Sequence, residues 1–412
     1  EPAGHHPPAH DQAPHSRGPE LRFRPNLVAL ALATTCALAA CSWGTTAPTS
    51  PTASSSSSPS PSPSVEITPP PPCVNAAAAR RATGVSSPDP VIVLATGLNV
   101  PDDLLYLAAD GTVMTGEHGS GRLAIVGGPS RLKRLPQVIG EAEGIAQIGS
   151  TIYVADQLHN RVVALVGGGV RTVIQLQPDP GGLNLDGIDS NGTQLIIPDS
   201  PHGTVLLVDP SGHVAARWAG LSRPAGVWGR STPYLIADEN AGAIYALKAG
   251  GGFTKVASNL SGVDDVVRDS RGHVLVTLPG AGVLRDITSG GNVASGLSNP
   301  QGLDFDGAQN LLVTESDRGR VDLIVKTFAI RVPTPAVRLL PRQGVCLGIT
   351  RGKGYTVPLA VDQVTGATVT TQPGASNSFE VLPAPCSTST CTVSLQLTSP
   401  AGREFADFTY RD

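Results

Sequence analysis

Between about residue 90 and residue 333 the chain alternates short apolar runs with polar turns, and the alternation repeats. One unit is plain in Glu143–Leu165, reading EGIAQIGSTIYVADQLHNRVVAL. A Gly-hydrophobic pair opens it, an apolar run ends in Asp156 after a polar turn, and a second apolar run starts at Arg161. The opening pair recurs as Asp103-Leu104, Gly144-Ile145, Gly187-Ile188, Gly226-Val227, Asp265-Val266 and Gly302-Leu303, at spacings of 41, 43, 39, 39 and 37 residues. Runs rich in Val, Ile, Leu and Tyr, bounded by Gly, Asn, Asp and Ser, predict strands. Four short strands in each repeat of about forty residues predict an all-β, six-bladed β-propeller. No long stretch carries the 3.6-residue period of an amphipathic helix, which excludes a helical solenoid of similar period. After Val321–Val325 the sixth unit lacks an outer strand, and Val91–Leu94 is placed to supply it and close the ring.

The flanks read differently. Pro333–Pro341 is a Pro-containing joint, and residues 342–412 form a small β module. Its expected strands are Tyr355–Val361, Ala367–Thr371, Cys391–Leu397 and Glu404–Tyr410, which suit a small immunoglobulin-like sandwich. At the other end, residues 1–20 are polar and rich in Pro and His; His5, His6, His10 and His15 read as part of a leader rather than a metal site. Arg22 and Arg24 precede an apolar run, Leu27–Ala40, too short to span a bilayer but suited to a signal peptide. Residues 42–89 follow as a linker whose Ser/Thr/Pro-rich part cannot bury a core and stays extended. The expected segments are therefore 1–41, 42–89, 90–333 and 342–412.

Charge and cysteine content narrow the picture. A net charge of −4 over 412 residues gives no footprint for nucleic acid. Cys36 falls inside the apolar leader, and past Cys41 four cysteines remain. In an exported chain Cys73, Cys346, Cys386 and Cys391 suggest two disulfides, with three pairings open. Cys386 and Cys391 enclose only four residues, which suits a hairpin clip and leaves Cys73 for Cys346.

Candidate chemistry lies where the first strand of each unit begins, because that end also carries the loop after the second strand. The residue before each opening pair reads Asp102, Glu143, Asp186, Ala225, Asp264 and Gln301. Carboxylates converging on one axis repel unless a cation or proton neutralises them, and oxygen ligands on rigid strands suit Ca²⁺. A second series, Glu117, Asp156, Asp199, Asp238, Leu278 and Glu315, ends the second strands; these acids are expected to accept turn N–H groups, and Arg122, Arg161 and Arg320 to pair with them. His118, His159 and His202 lie in the same loops. His159 and His202 occupy equivalent positions and are candidates for general acid–base work. No GxSxG, HExxH or GxxxxGKS motif is present.

Two resemblances add to this. Leu38-Ala39-Ala40-Cys41, after a basic stretch and an apolar run, resembles the lipobox of bacterial lipoproteins, which implies lipidation at Cys41 and a lipid bilayer as partner. The units GIAQIGSTIYVADQLHNRVVAL and GLDFDGAQNLLVTESDRGRVDLIV resemble NHL repeats and the gluconolactonase (senescence-marker-type) lactonases over about 90–330. That resemblance implies one axial divalent cation, usually calcium, held by Asp102, Glu143, Asp186 and Asp264; Ala225 stands where the family has an Asn ligand. The expectation is an exported, lipid-anchored binding or sensing module with a ligand funnel, its ligand a small molecule, protein or glycan. The alternative is a calcium-dependent lactonase in which His159 or His202 handles protons.

Overall fold

The structure is a computed structural model that describes residues 74–75, 82–127, 132–179, 184–333 and 336–412. The apolar run Leu27–Ala40, Cys41 and Cys73 lie outside the described residues, as do residues 42–72 of the linker. Among the described residues no helix is long and apolar enough to cross a membrane.

The chain is all-β, and between Val91 and Ile324 its strands fall into six four-stranded sheets. The first is Pro101–Leu107, Thr112–Glu117, Arg122–Val126 and Leu132–Arg134, antiparallel throughout. In the next four sheets the first strands are Ala142–Ile148, Asp189–Ser190, Pro224–Trp228 and Val266–Arg268. The sixth joins Pro300–Phe305, Leu311–Glu315 and Arg320–Ile324 to Val91–Thr96, which pairs antiparallel from Val91 opposite Ile324 to Thr96 opposite Arg320. Each first strand packs on the next, and Pro300–Phe305 packs on Pro101–Leu107. First strands in mutual contact around a closed series, with later strands radiating outward, make a β-propeller.

Burial follows that radial order. Second strands such as Thr112–Glu117, Leu195–Asp199 and Leu311–Glu315 are buried at every position, because a neighbouring sheet covers each face. Fourth strands are wetter: Val214–Ala219 alternates partly buried with exposed residues, the period of a half-buried strand. Between sheets the contacts are aliphatic. Tyr153, Val162, Leu185, Ile188, Leu195 and Leu206 form one cluster joining the second and third sheets, each large side chain contributing about 1.5–3 kcal/mol on burial.

The small residue of the opening pair has a steric cause. A Cβ on Gly144 would fall on the backbone N of Ile188, and one on Gly226 on the backbone of Asp264 and Asp265. The neighbouring first strand runs too close for a side chain there.

Residues 328–412 build two further sheets. One has the order Phe328–Arg331, Val345–Arg351, Ser378–Pro383, Ala367–Thr371; the other Val337–Arg338, Gly402–Arg411, Cys391–Ser399, Ala360–Thr365. Both face one apolar cluster that includes Phe328, Leu347, Phe379, Val393, Leu397 and Phe408. Phe328–Arg331 falls inside the range 90–333 yet belongs to this module, paired with Val345–Arg351. The joint 333–341 itself contributes Val337–Arg338, parallel to Tyr410–Arg411.

The strand expected at Tyr355–Val361 is instead Ala360–Thr365. Gly352 to Gly354 form a turn closed by Tyr355 N–H on Gly352 O at 3.1 Å, Pro358 has no N–H for a ladder, and the Tyr355 ring stacks on Phe328. Cys386 and Cys391 form a disulfide across a Cα separation of 5.7 Å. Cys346 is also bonded, and Val74–Asn75 pairs parallel to Val345–Cys346.

Candidate functional site: acids on the propeller axis

Asp102 and Glu143 lie on first strands and Asp186 just before one, each directly before its opening pair, so the closed series of sheets aims them at a common axis. Each offers a carboxylate oxygen, and these oxygens all lie within 4.8 Å of one another. Asp264 falls outside that trio. It still feels the charges of Asp186 and Asp102, and its backbone C=O accepts Gly226 N–H at 2.9 Å. Ala225, fully buried, leaves the fourth sheet without an acid at the axial position.

The crowding sets the protonation. Burial holds the Asp102 carboxyl well above the usual carboxylate range, and the charges of Glu143 and Asp186 push it further. Burial, with Asp186 next, raises Glu143 to about 8. Burial also raises Asp186, against the opposing charge of Arg223. Carboxylates so placed bind protons or a cation.

Two nitrogen-bearing side chains enter from the loops. His118 follows Glu117 and places Nδ1 on Glu143 Oε1; its backbone N–H donates to Val100 O at 3.0 Å. Val100 sits at φ 51°, left-handed backbone that a β-branched residue rarely adopts. Arg223, two residues before Ala225, donates through Nη2 to Asp186 Oδ2 at 3.2 Å and pairs with Glu239. In the fourth sheet, then, a guanidinium reaches the acids where no carboxylate stands.

His159 and His202 sit in 3₁₀ turns, three residues beyond Asp156 and Asp199. The Nδ1 of His159 lies 2.8 Å from Asp156 Oδ2, and that of His202 lies 2.8 Å from Asp199 Oδ1. It is His118 that reaches the axial carboxylates.

The strand-end acids hold their turns. Glu117 accepts Asn99 N–H at 2.8 Å, Asp238 accepts Ser222 and Arg223 N–H, and Glu315 accepts Ser298 N–H at 2.6 Å. Arg161 reaches Asp156 at 2.7 Å, and Arg320 pairs with Glu315. Arg122 departs from expectation: it donates to Leu135 O and Pro136 O, while Arg134 takes Glu117 at 2.7 Å. Arg122 opens the third strand directly opposite Glu117, yet it is Arg134, from the fourth strand, that takes the carboxylate.

Below the axial acids lies a tier that sequence reasoning missed. Asp103, Asp189, Asp265 and Asp304 each accept the next residue's N–H and one from the following sheet: Ile145, Gly229, Leu303 and Tyr106, all at 2.8 Å. Arg230 grips Asp304 through Nη1 and Nη2 at 2.5 and 3.0 Å, lies 3.6 Å from Asp189 and covers the Trp228 ring. The sequence did carry a signal. Four units place an Asp either at the first position of the opening pair or two residues later.

An axial cavity of about 30 Å³ runs between the tiers, lined by Asp102, Asp186, Asp264, Asp103, Asp265 and Arg230 among others. That is room for about two waters or one partly hydrated ion, far below the roughly 300 Å³ of a small-molecule pocket.

No family model matches the sequence, and no curated protein matches it. Solved structures do resemble the fold. Regucalcin, a calcium-binding protein of Agrobacterium tumefaciens, is 17% identical at a TM-score of 0.46, covering 56% of this chain and 92% of its own. A gluconolactonase of Xanthomonas campestris is 15% identical at 0.45, covering 63% and 98%. Virginiamycin B lyase of Staphylococcus aureus is 13% identical at 0.44, covering 58% and 98%.

Proposed function

We propose that residues 91–324 form a six-bladed propeller whose axial end binds one divalent cation, and that the protein is an exported binding module working at that end. The carrying observation is the convergence of Asp102, Glu143 and Asp186, oxygens within 4.8 Å, with Asp264 beside them. An all-oxygen, carboxylate-rich set on rigid strands suits a hard cation, and calcium accepts such ligands together with waters. Asp102, Glu143 and Asp186 would hold it; Arg223, on Asp186, takes up charge that the ion leaves, and His118 stays hydrogen-bonded to Glu143. Because the cavity admits only about two waters, an organic ligand would engage from the loop face. Calcium titration by calorimetry tests this: binding in wild type and its loss in Glu143→Gln/Asp102→Asn are expected. No binding by the wild-type protein sinks the reading.

One observation favours a second reading, a calcium-dependent lactonase: a histidine contacts a carboxyl that titrates at about 8. A divalent ion supplies polarisation of a lactone carbonyl. His118, on Glu143, is placed to hold or pass a proton, and His159 and His202 would act from the rim. Turnover of γ- or δ-lactones in calcium, lost in His118→Ala, supports it; no turnover with calcium bound leaves the binding module alone.

Export and anchoring rest on Leu38-Ala39-Ala40-Cys41 after the run Leu27–Ala40. Cys41→Ser should move the protein out of the membrane fraction. For the C-terminal module we propose an immunoglobulin-like sandwich. Its strand order, taken A, B, E, D and A′, G, F, C, matches that fold's two sheets with the first strand split between them. A Cys73–Cys346 disulfide would tie the chain before the propeller to this module.

A further inference from the structure

The C-terminal module touches the propeller at the end opposite the axial acids. Its hairpin between Cys391–Ser399 and Gly402–Arg411 lies on the turn after Pro300–Phe305 and on the turn after Pro101–Leu107. Arg403 N–H donates to Gly307 O at 2.6 Å, and Gly111, Gly307 and Gly402 are all packed too closely for a Cβ. In this contact two carboxyl groups face each other. Asp306, from the propeller, is fixed: Oδ1 accepts the N–H groups of Ala308 and Asn310 at 2.9 and 2.8 Å, and Oδ2 accepts Asn310 Nδ2 at 2.8 Å. Glu404, from the module, meets the Asp306 carboxyl and is held less firmly, by the Ala308 N–H alone. Its Oε2 is sealed from solvent and finds no donor.

The other titratable groups here do not neutralise the pair. Tyr106 is buried, and Glu404 and Asp306 beside it push its ionisation upward after burial itself. Asp110 and Asp407 are acids, and Arg403 is exposed and makes no ion pair among the described residues. Among the described residues no Lys, Arg or His pairs with Asp306 or Glu404. Two facing carboxylates without a cation cannot both ionise. The hydrogen bonds that Asp306 accepts make it the better anion, and Glu404 the better acid.

We propose that one proton, carried by Glu404 and facing the Asp306 carboxylate, latches the C-terminal module to the propeller, so that docking weakens as the surroundings turn alkaline. The titration has the right sign. Burial raises Glu404 well above its ordinary value, and raises Asp306 to about 7. The docked form therefore binds more protons than the undocked form. Docking is strongest below the ordinary carboxylate range and is lost as pH rises through 7 and beyond. The two modules remain joined by the chain at 325–328, so release would swing the hairpin away from the turns that follow the first strands of sheets one and six.

Amide hydrogen exchange on the full-length protein tests this. The Arg403 N–H reports the contact directly. After correction for base-catalysed exchange, its protection should fall about tenfold or more between pH 6 and pH 9, in calcium and in chelator alike. Glu404→Gln keeps shape and a neutral donor toward Asp306, and should remove that dependence; Asp407→Asn should not. Constant protection in the wild-type protein would overturn the latch, whether or not the variant folds. So would an unchanged pH response in Glu404→Gln, or protection set by calcium rather than by protons.

Discussion

Asp103 of the first sheet accepts the backbone N–H of Ile145 in the second at 2.8 Å, across 42 residues of sequence. The same carboxylate takes its own neighbour, Leu104 N–H, at 2.7 Å. One side chain therefore closes two buried donors and ties two sheets, at a position where Gly144 and Gly226 can offer nothing. The aspartate tier is thus a set of ring staples. Asp103→Ala leaves both N–H groups without an acceptor, and about 2 kcal/mol or more of stability should go. Denaturant unfolding measures it; a loss under about 0.5 kcal/mol, the usual surface scatter, would contradict the staple.

Arg230 is the cation that contacts this tier. It holds Asp304 by two hydrogen bonds while Asp304 also accepts Phe305 and Tyr106 N–H. Arg230→Met keeps the aliphatic stem over Trp228 but strands a fully buried carboxylate. Removing one partner of a buried pair costs about 3–5 kcal/mol; with Arg230 partly open to solvent, about 3 kcal/mol is expected. The companion Arg230→Met/Asp304→Asn should recover part of the loss, since the stranded charge at residue 304 is gone while the asparagine amide oxygen can still accept a backbone N–H there. Chemical denaturation of both variants decides it.

These two residues mark what the sequence could and could not express. The forty-residue spacing and the β-prone runs dictate the sheets, because each unit must bury both faces of its second strand against neighbours. The alignment of Asp102, Glu143 and Asp186 follows from the same periodicity. Arg230, by contrast, occupies a turn in a single unit, so no repeat comparison brings it out. Arg134 displaced Arg122 although Arg122 stands directly opposite Glu117 in the strand register: Arg122 turns to Leu135 O and Pro136 O, and a side chain from the fourth strand takes the carboxylate. In the C-terminal module no repeat exists, and Val345–Arg351 and Ser378–Pro383 escaped notice, while Pro358 and the Gly352–Gly354 turn moved a strand from Tyr355 to Ala360.

Protons and calcium should act oppositely on stability. Glu143 is raised to about 8, above its unfolded value near 4.5, chiefly by burial and then by Asp186. An acid raised on folding costs nothing below its unfolded value; the cost grows from there until pH passes the folded value. Metal-free protein should therefore lose thermal stability from about pH 4.5 to about pH 8. Calcium needs the deprotonated carboxylates, so its stabilisation should grow across the same window. Melting temperatures across that pH range, in chelator and in excess calcium, check both slopes. Curves that stay parallel would exclude an axial ion.

Arg223 gives the sharpest test of which oxygens meet the cation. Its guanidinium occupies Asp186 Oδ2 at 3.2 Å and adds a positive charge beside the proposed ion. Arg223→Gln would free that oxygen and remove the repulsion, while the glutamine keeps an amide donor for Glu239, whose Oε2 is shielded from solvent. A competing effect runs the other way. Arg223 lowers the Asp186 carboxyl against the burial that raises it, so its loss lets protons compete better for the site. At pH 8 the freed ligand should win, and calcium should bind about tenfold tighter, the equivalent of about 1.4 kcal/mol. At pH 5 the gain should vanish, because the proton then holds the oxygen that the arginine released. Calorimetric affinities at the two pH values settle it: tighter binding at pH 8 alone places the ion at Asp186, and weaker binding at both moves it elsewhere on the axis.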